Sequence, residues 1–89
     1  MPRISEFFGI AIYLYFADTN RHQAPHFHAK YGGEEAVYSI PDGDRLAGRL
    51  PKRQERLVQA WTALREAELE QAWNHAVNFE PPGRVEPPS

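Results

Sequence analysis

Cysteine is absent from the 89 residues. Neither a disulfide nor a thiolate zinc site can hold the chain together, and a reducing compartment is expected. Long apolar runs are lacking too. The longest, Ile10 to Phe16, is strand-sized and far below the roughly 20 residues of a membrane helix. No secretory signal pattern is read, so the expectation is a cytoplasmic protein without membrane contact. Charge nearly cancels: the formal net value is −2. That balance argues against a protein that coats nucleic acid, while leaving room for a local phosphate contact. Glycine-rich phosphate loops, paired catalytic carboxylates and Ser/His/Asp signatures are missing as well. No cofactor is expected. One domain of this length sits near the lower end of what a single core stabilises, so homodimerisation would be a natural way to bury more surface.

What is present is unevenly placed. Residues 45–56 carry Arg45, Arg49, Lys52, Arg53 and Arg56 against Glu55 alone, a local +4. From Glu66 onward five acids meet only Arg84, a local −4. The basic centre and the acidic end either complement each other or serve two partners.

Ile10 to Phe16 alternates Ile10, Ile12, Leu14 and Phe16 against Ala11, Tyr13 and Tyr15. Apolar on both faces, it reads as the central strand. Residues 18–24 are polar and end before Pro25, which disfavours helix at Ala24 and marks a loop. His26 to Tyr31 alternates again, and Gly32-Gly33 supplies a tight hairpin turn. Glu34 or Glu35 to Ile40 returns as a third strand, its two acids serving as edge charge. Pro41-Asp42-Gly43-Asp44 is turn chemistry, and Arg45 to Leu50 is a short candidate fourth strand.

Pro51 suits the first turn of a helix. Leu57, Val58, Trp61 and Leu64 follow helical spacing, and so do Leu69, Ala72, Trp73, Ala76 and Val77. The second stripe is rotated by roughly 100° from the first. One straight helix cannot bury both, so a break is expected around Arg65 to Ala67, with a stop at Asn78. Trp61 and Trp73 lie on apolar stripes and read as core. The expected fold is α+β: a three- to four-stranded antiparallel meander followed by two helices packed on it. Residues 1–79 form the single domain, and the proline-rich residues 80–89 form an extended or disordered tail.

The stretch that nominates a site is Pro25-His26-Phe27-His28. Side chains at i and i+2 of a strand leave the same face roughly 7 Å apart, so the imidazoles stand together while Phe27 enters the core. Three readings are open. The histidines are structural, hydrogen-bonded on a half-buried strand. Or they are an acid–base pair, one imidazole taking a proton while the other stabilises charge, as metal-independent RNA cleavage needs. Or, with His22 or Asp18 from the loop, they bind metal. Arg49 and the helical Lys52, Arg53 and Arg56 are either a phosphate- or partner-binding patch or a solvated face. Tyr13, Tyr15 and Tyr38 offer stacking surfaces if their side of the sheet is open, and core if it is covered.

Several pieces together resemble one family: Met1-Pro2-Arg3-Ile4-Ser5, Phe8-Gly9-Ile10, Pro25-His26-Phe27-His28, Tyr31-Gly32, Leu46-Ala47-Gly48 with Leu50-Pro51, and Trp61 with Trp73. The chain resembles the short prokaryotic proteins of domain-of-unknown-function family 4160 from Pro2 to about Asn78. That family has no assigned activity. The resemblance implies a protein partner of domain-of-unknown-function family 2442, encoded nearby, and a toxin–antitoxin-like regulatory pair. It also makes an RNA-directed role worth testing. The chain departs from the family pattern between Asp18 and Ala24, which is longer than usual and holds one histidine, His22.

The first expectation is therefore a small protein that acts through a protein partner. The alternative is a metal-independent ribonuclease using His26 and His28, with Arg53 or Arg56 holding phosphate. The third is a metal-binding module built on His22, His26 and His28.

Overall fold

The computed structural model describes residues 3–15 and 24–88. Five strands and two helices follow one another: β1 (Arg3–Phe7), β2 (Ile10–Tyr13), β3 (His26–Tyr31), β4 (Glu34–Ser39), β5 (Arg45–Gly48), α1 (Lys52–Leu64) and α2 (Glu66–Val77). The strands form one antiparallel sheet in chain order, β1-β2-β3-β4-β5. The architecture is the expected α+β meander with two following helices, but with five strands rather than three or four.

Two hairpins set the register. Phe7 pairs with Ile10 across a two-residue loop in which both Phe8 (φ 52°) and Gly9 (φ 78°) are left-handed. Positive φ at both central residues is the type I′ turn that matches strand twist. Tyr31 pairs with Glu34 across Gly32-Gly33, where Gly32 has φ 59°. The centre of the sheet is β3, not β2. The apolar run expected as one strand to Phe16 stops pairing at Tyr13, and Phe16 lies outside the described residues.

Register assigns the faces. Ile12 faces Ala29, Ala29 faces Ala36, and Phe27 faces Tyr38. These five side chains are fully buried in one cluster with Ile4, Ile10, Leu14, Val58, Trp61 and Leu69. Helix α1 covers this face: Trp61 meets the Phe7 ring at 5.1 Å and the Phe27 ring at 5.5 Å. Tyr38, a possible stacking platform from sequence, is therefore core, lying 5.7 Å from Phe27. The opposite register positions are Ala11, Tyr13, His28, Lys30, Glu35 and Val37, none of them fully buried.

The two helices break where their apolar stripes lose phase. Arg65 stands between them with φ −119° and ψ 29°, and Asn78 ends α2. Pro51 sits one residue before α1, at its N-cap, rather than inside its first turn. Leu64 and Val77, counted with the buried stripes from sequence, are 62% and 38% exposed at the helix ends.

Residues 80–88 form no helix or strand, yet they are not a loose tail. Val85 is buried and its N–H donates to the Ile4 carbonyl at 2.7 Å. Trp61 Nε1 donates to the Glu86 carbonyl at 2.8 Å, and Arg65 Nη2 donates to the Pro87 carbonyl at 2.7 Å. The segment is a strap that joins β1 to the helix break, so the packed unit runs past residue 79.

Candidate functional site

The site lies on the face of the sheet that α1 does not cover. Because β2 and β3 run antiparallel with Tyr13 opposite His28, the alternating side chains of both strands converge there. Tyr13 and Tyr15 stack in parallel at 5.9 Å and 1°, and His28 meets the edge of Tyr15 at 4.5 Å. Lys30 Nζ lies 4.9 Å from the Tyr13 ring centre and 5.9 Å from that of Tyr15. Arg3, opposite Tyr13 in the register, places its guanidinium 5.5 Å from the same ring and donates to the Tyr13 hydroxyl at 3.1 Å. Two cations over two aromatic faces form a preorganised, partly exposed platform.

Electrostatics keep both cations charged. Lys30 is held above its ordinary pKa, chiefly by hydrogen bonding to Tyr15 and then by electrostatic attraction to Tyr15 and Glu35. Arg3 is raised chiefly by its hydrogen bond to Tyr13, with Glu6 adding an ion pair at 2.6 Å.

The histidines come together as the strand period requires, with ring centres 5.6 Å apart. They do not share an environment. His26 is 4% exposed, its Nδ1 donating to the Ala24 carbonyl at 3.1 Å and its ring packed 5.2 Å from Trp73 of α2. His28 remains half-buried at the open face, its Nδ1 donating to Glu35 Oε2 at 2.9 Å. A carboxylate on Nδ1 fixes the tautomer and steadies the ring, the arrangement by which acid–base histidines are oriented. The two imidazoles that the ribonuclease alternative uses as acid and base are therefore unequally exposed.

The basic group lies elsewhere. Arg49 and Lys52 line a groove of about 480 Å³ with Glu34, Arg45, Leu50, Pro51 and Glu55, at the β5 edge and the start of α1. Lys52, Arg53 and Arg56 are exposed on the helix that packs against the opposite face from His28. Neither Arg53 nor Arg56 is brought to the histidines. His22 and Asp18, the loop residues of the metal reading, lie outside the described residues. Among the described residues, no three His, Cys, Asp or Glu side chains are grouped to hold a metal ion.

Sequence reasoning missed Arg3, Lys30, Glu35 and the role of Trp73 against His26. Glu35 was legible in principle. A two-residue turn at Gly32-Gly33 pairs His28 with Val37, and Glu35 is then its diagonal neighbour on the same face.

The family model for a domain of unknown function, DUF4160, matches residues 9–74. The chain belongs to this family. The match takes in β2 to β5, α1 and most of α2, and with them Tyr13, Tyr15, His26, His28, Lys30 and Glu35. It leaves out β1 and the strap, the two segments joined by the Val85–Ile4 hydrogen bond. No curated protein and no solved structure matches the chain. Among the described residues, no helix is long and apolar enough to cross a membrane.

Proposed function

We propose that this family member is a binding module that acts through a protein partner, with the open face of its sheet as the docking surface. The observation that carries the reading is the uneven packing of the two sheet faces. Helix α1 covers the Phe27–Tyr38 face and Trp73 of α2 packs on His26, while Tyr13, Tyr15 and His28 stay partly exposed, the tyrosine rings with cations above them. Tyrosine and arginine anchors in a partly apolar surface are what protein interfaces concentrate. The partner implied by the family resemblance is a protein of domain-of-unknown-function family 2442, the two forming a toxin–antitoxin-like regulatory pair in the cytoplasm.

The test is calorimetric titration with a purified family 2442 protein from the same genome. Saturable binding is expected, weakened at least tenfold by Tyr13→Ala with Tyr15→Ala, and less than tenfold by His26→Ala or His28→Ala alone. Binding indifferent to the tyrosine pair refutes the placement.

A second reading rests on the His28–Glu35 contact. A histidine oriented by a carboxylate beside Lys30 is suited to acid–base attack on RNA, with the ammonium holding phosphate. In that reading the working residues are His28, Glu35 and Lys30, with His26 supporting from its buried position. Cleavage of a short RNA that disappears in both His28→Ala and Glu35→Gln is its signature. Intact RNA after prolonged incubation with the purified protein removes it.

A further inference from the structure

The two edges of the sheet are treated differently. At the β1 edge the strap donates the Val85 N–H to Ile4 and places Val85 in the core. At the other end, β5 pairs only with β4 among the described residues. Every residue of β5 is exposed, and Leu46 is 55% exposed. In an antiparallel strand, alternate main-chain groups point away from its one neighbour, so β5 presents donors and acceptors outward.

Where β5 leads into α1 lies the groove lined by Arg45, Arg49 and Lys52, by the acids Glu34 and Glu55, and by Leu50 and Pro51. Arg45 is engaged by Glu55 at 3.4 Å. Arg49, Lys52, Arg53 and Arg56 form no ion pair among the described residues. Two acids of the C-terminal part pair elsewhere: Glu68 with Arg65, and Glu80 with His75. Arg49 and Lys52, without an ion pair among the described residues, thus line a groove next to a strand that pairs on one side only among those residues.

We propose that the β5 edge and its basic groove bind an acidic, extended segment of a partner protein, which adds to the sheet as a sixth strand. Main-chain pairing supplies the alignment and the Arg49 and Lys52 charges supply the preference for acidic side chains. An extended peptide fits better than nucleic acid, which has no strand backbone to pair. The apolar part of the groove, Leu50 and Pro51, is also aliphatic rather than aromatic, so it offers bases no ring to stack on. A second copy of the chain fits less well, because pairing β5 with itself draws two basic edges together. The proposal extends the partner-binding reading to a second surface, distinct from the tyrosine face.

The probe is a capped hexapeptide of alternating glutamate and valine, titrated into the full-length isotope-labelled protein and followed by backbone amide shifts. Saturable shifts centred on residues 45–49 are expected. Weakening of tenfold or more is expected in the double variant Arg49→Glu with Lys52→Glu, whose fold is verified by circular dichroism, and also when alternate peptide nitrogens are methylated. A lysine–valine peptide should bind that double variant instead. The proposal is overturned by silence of these amides with the acidic peptide, or by equal binding of the methylated peptide. It is equally overturned if oligouridylate shifts these amides and the acidic peptide does not, or if they shift with protein concentration alone. Because the tyrosine face is tested separately with the family 2442 protein, either reading can fail while the other stands.

Discussion

Trp61 is the side chain on which the molecule converges. It is fully buried between Phe7 and Phe27, and its indole N–H reaches across to the Glu86 carbonyl. Trp61→Ala is expected to cost about 3–5 kcal/mol in urea denaturation, a large share of the roughly 5–13 kcal/mol expected for a chain of this size. Tyr38 gives the fold a titratable signature. Burial pushes its phenol well above 10.0, and the Glu55 carboxylate that accepts its hydrogen bond at 3.0 Å pushes further. The unfolded chain releases this proton near pH 10 while the folded protein keeps it. Above that pH the unfolded state therefore binds fewer protons, and stability falls as pH rises. A denaturation series from pH 8 upward should show the fall steepening past about pH 10, and Tyr38→Phe should flatten it. At Gly48 the constraint is steric. Its φ is 69°, and an added Cβ would press into the Glu35 carbonyl. Gly48→Ala should cost at least about 1–3 kcal/mol and speed amide exchange in β4 and β5 before the rest of the sheet.

At the scale of elements, what was legible depended on how cleanly each segment kept its period. The β3–β4 hairpin was readable because Gly32-Gly33 interrupts two alternating runs. The α1–α2 break was readable because the apolar stripes differ in phase. Strand β1 was not, since an irregularity between Arg3 and Ser5 buries the consecutive residues Ile4 and Ser5 and erases the alternation. The apolar character of β2 on both faces misplaced it at the sheet centre, because half-exposed Tyr13 and Tyr15 looked like core residues. Proline-rich composition made the C-terminal segment look like a tail, whereas one apolar residue, Val85, anchors it. That anchor is testable. Val85→Ala removes two buried carbons and should cost about 1–2 kcal/mol, with loss of exchange protection at the Val85 amide. Unchanged stability would mean that the strap does not contribute to the fold. The shared face of His26 and His28 was legible from the strand period. The burial of His26 was not, because Trp73 lies on a distant helix whose placement no local pattern encodes.

For the whole molecule, the governing fact is a sheet packed unequally on its two faces. Among the described residues, α1 closes one face, Trp73 of α2 packs on His26 of the other, and the strap closes the β1 edge, while Tyr13, Tyr15, His28 and the β5 edge stay at least partly exposed. An 89-residue chain that leaves ordered aromatic rings half-exposed gives up burial it could use, which accords with a surface kept for contact. The most direct measurement is an amide and imidazole NMR titration of the isotope-labelled protein with a family 2442 protein from the same genome. The account predicts saturable shifts that include Tyr13, Tyr15, His28 and Lys30 and that vanish when both tyrosines are replaced by alanine. A saturable complex that leaves all four of those residues unmoved would contradict it.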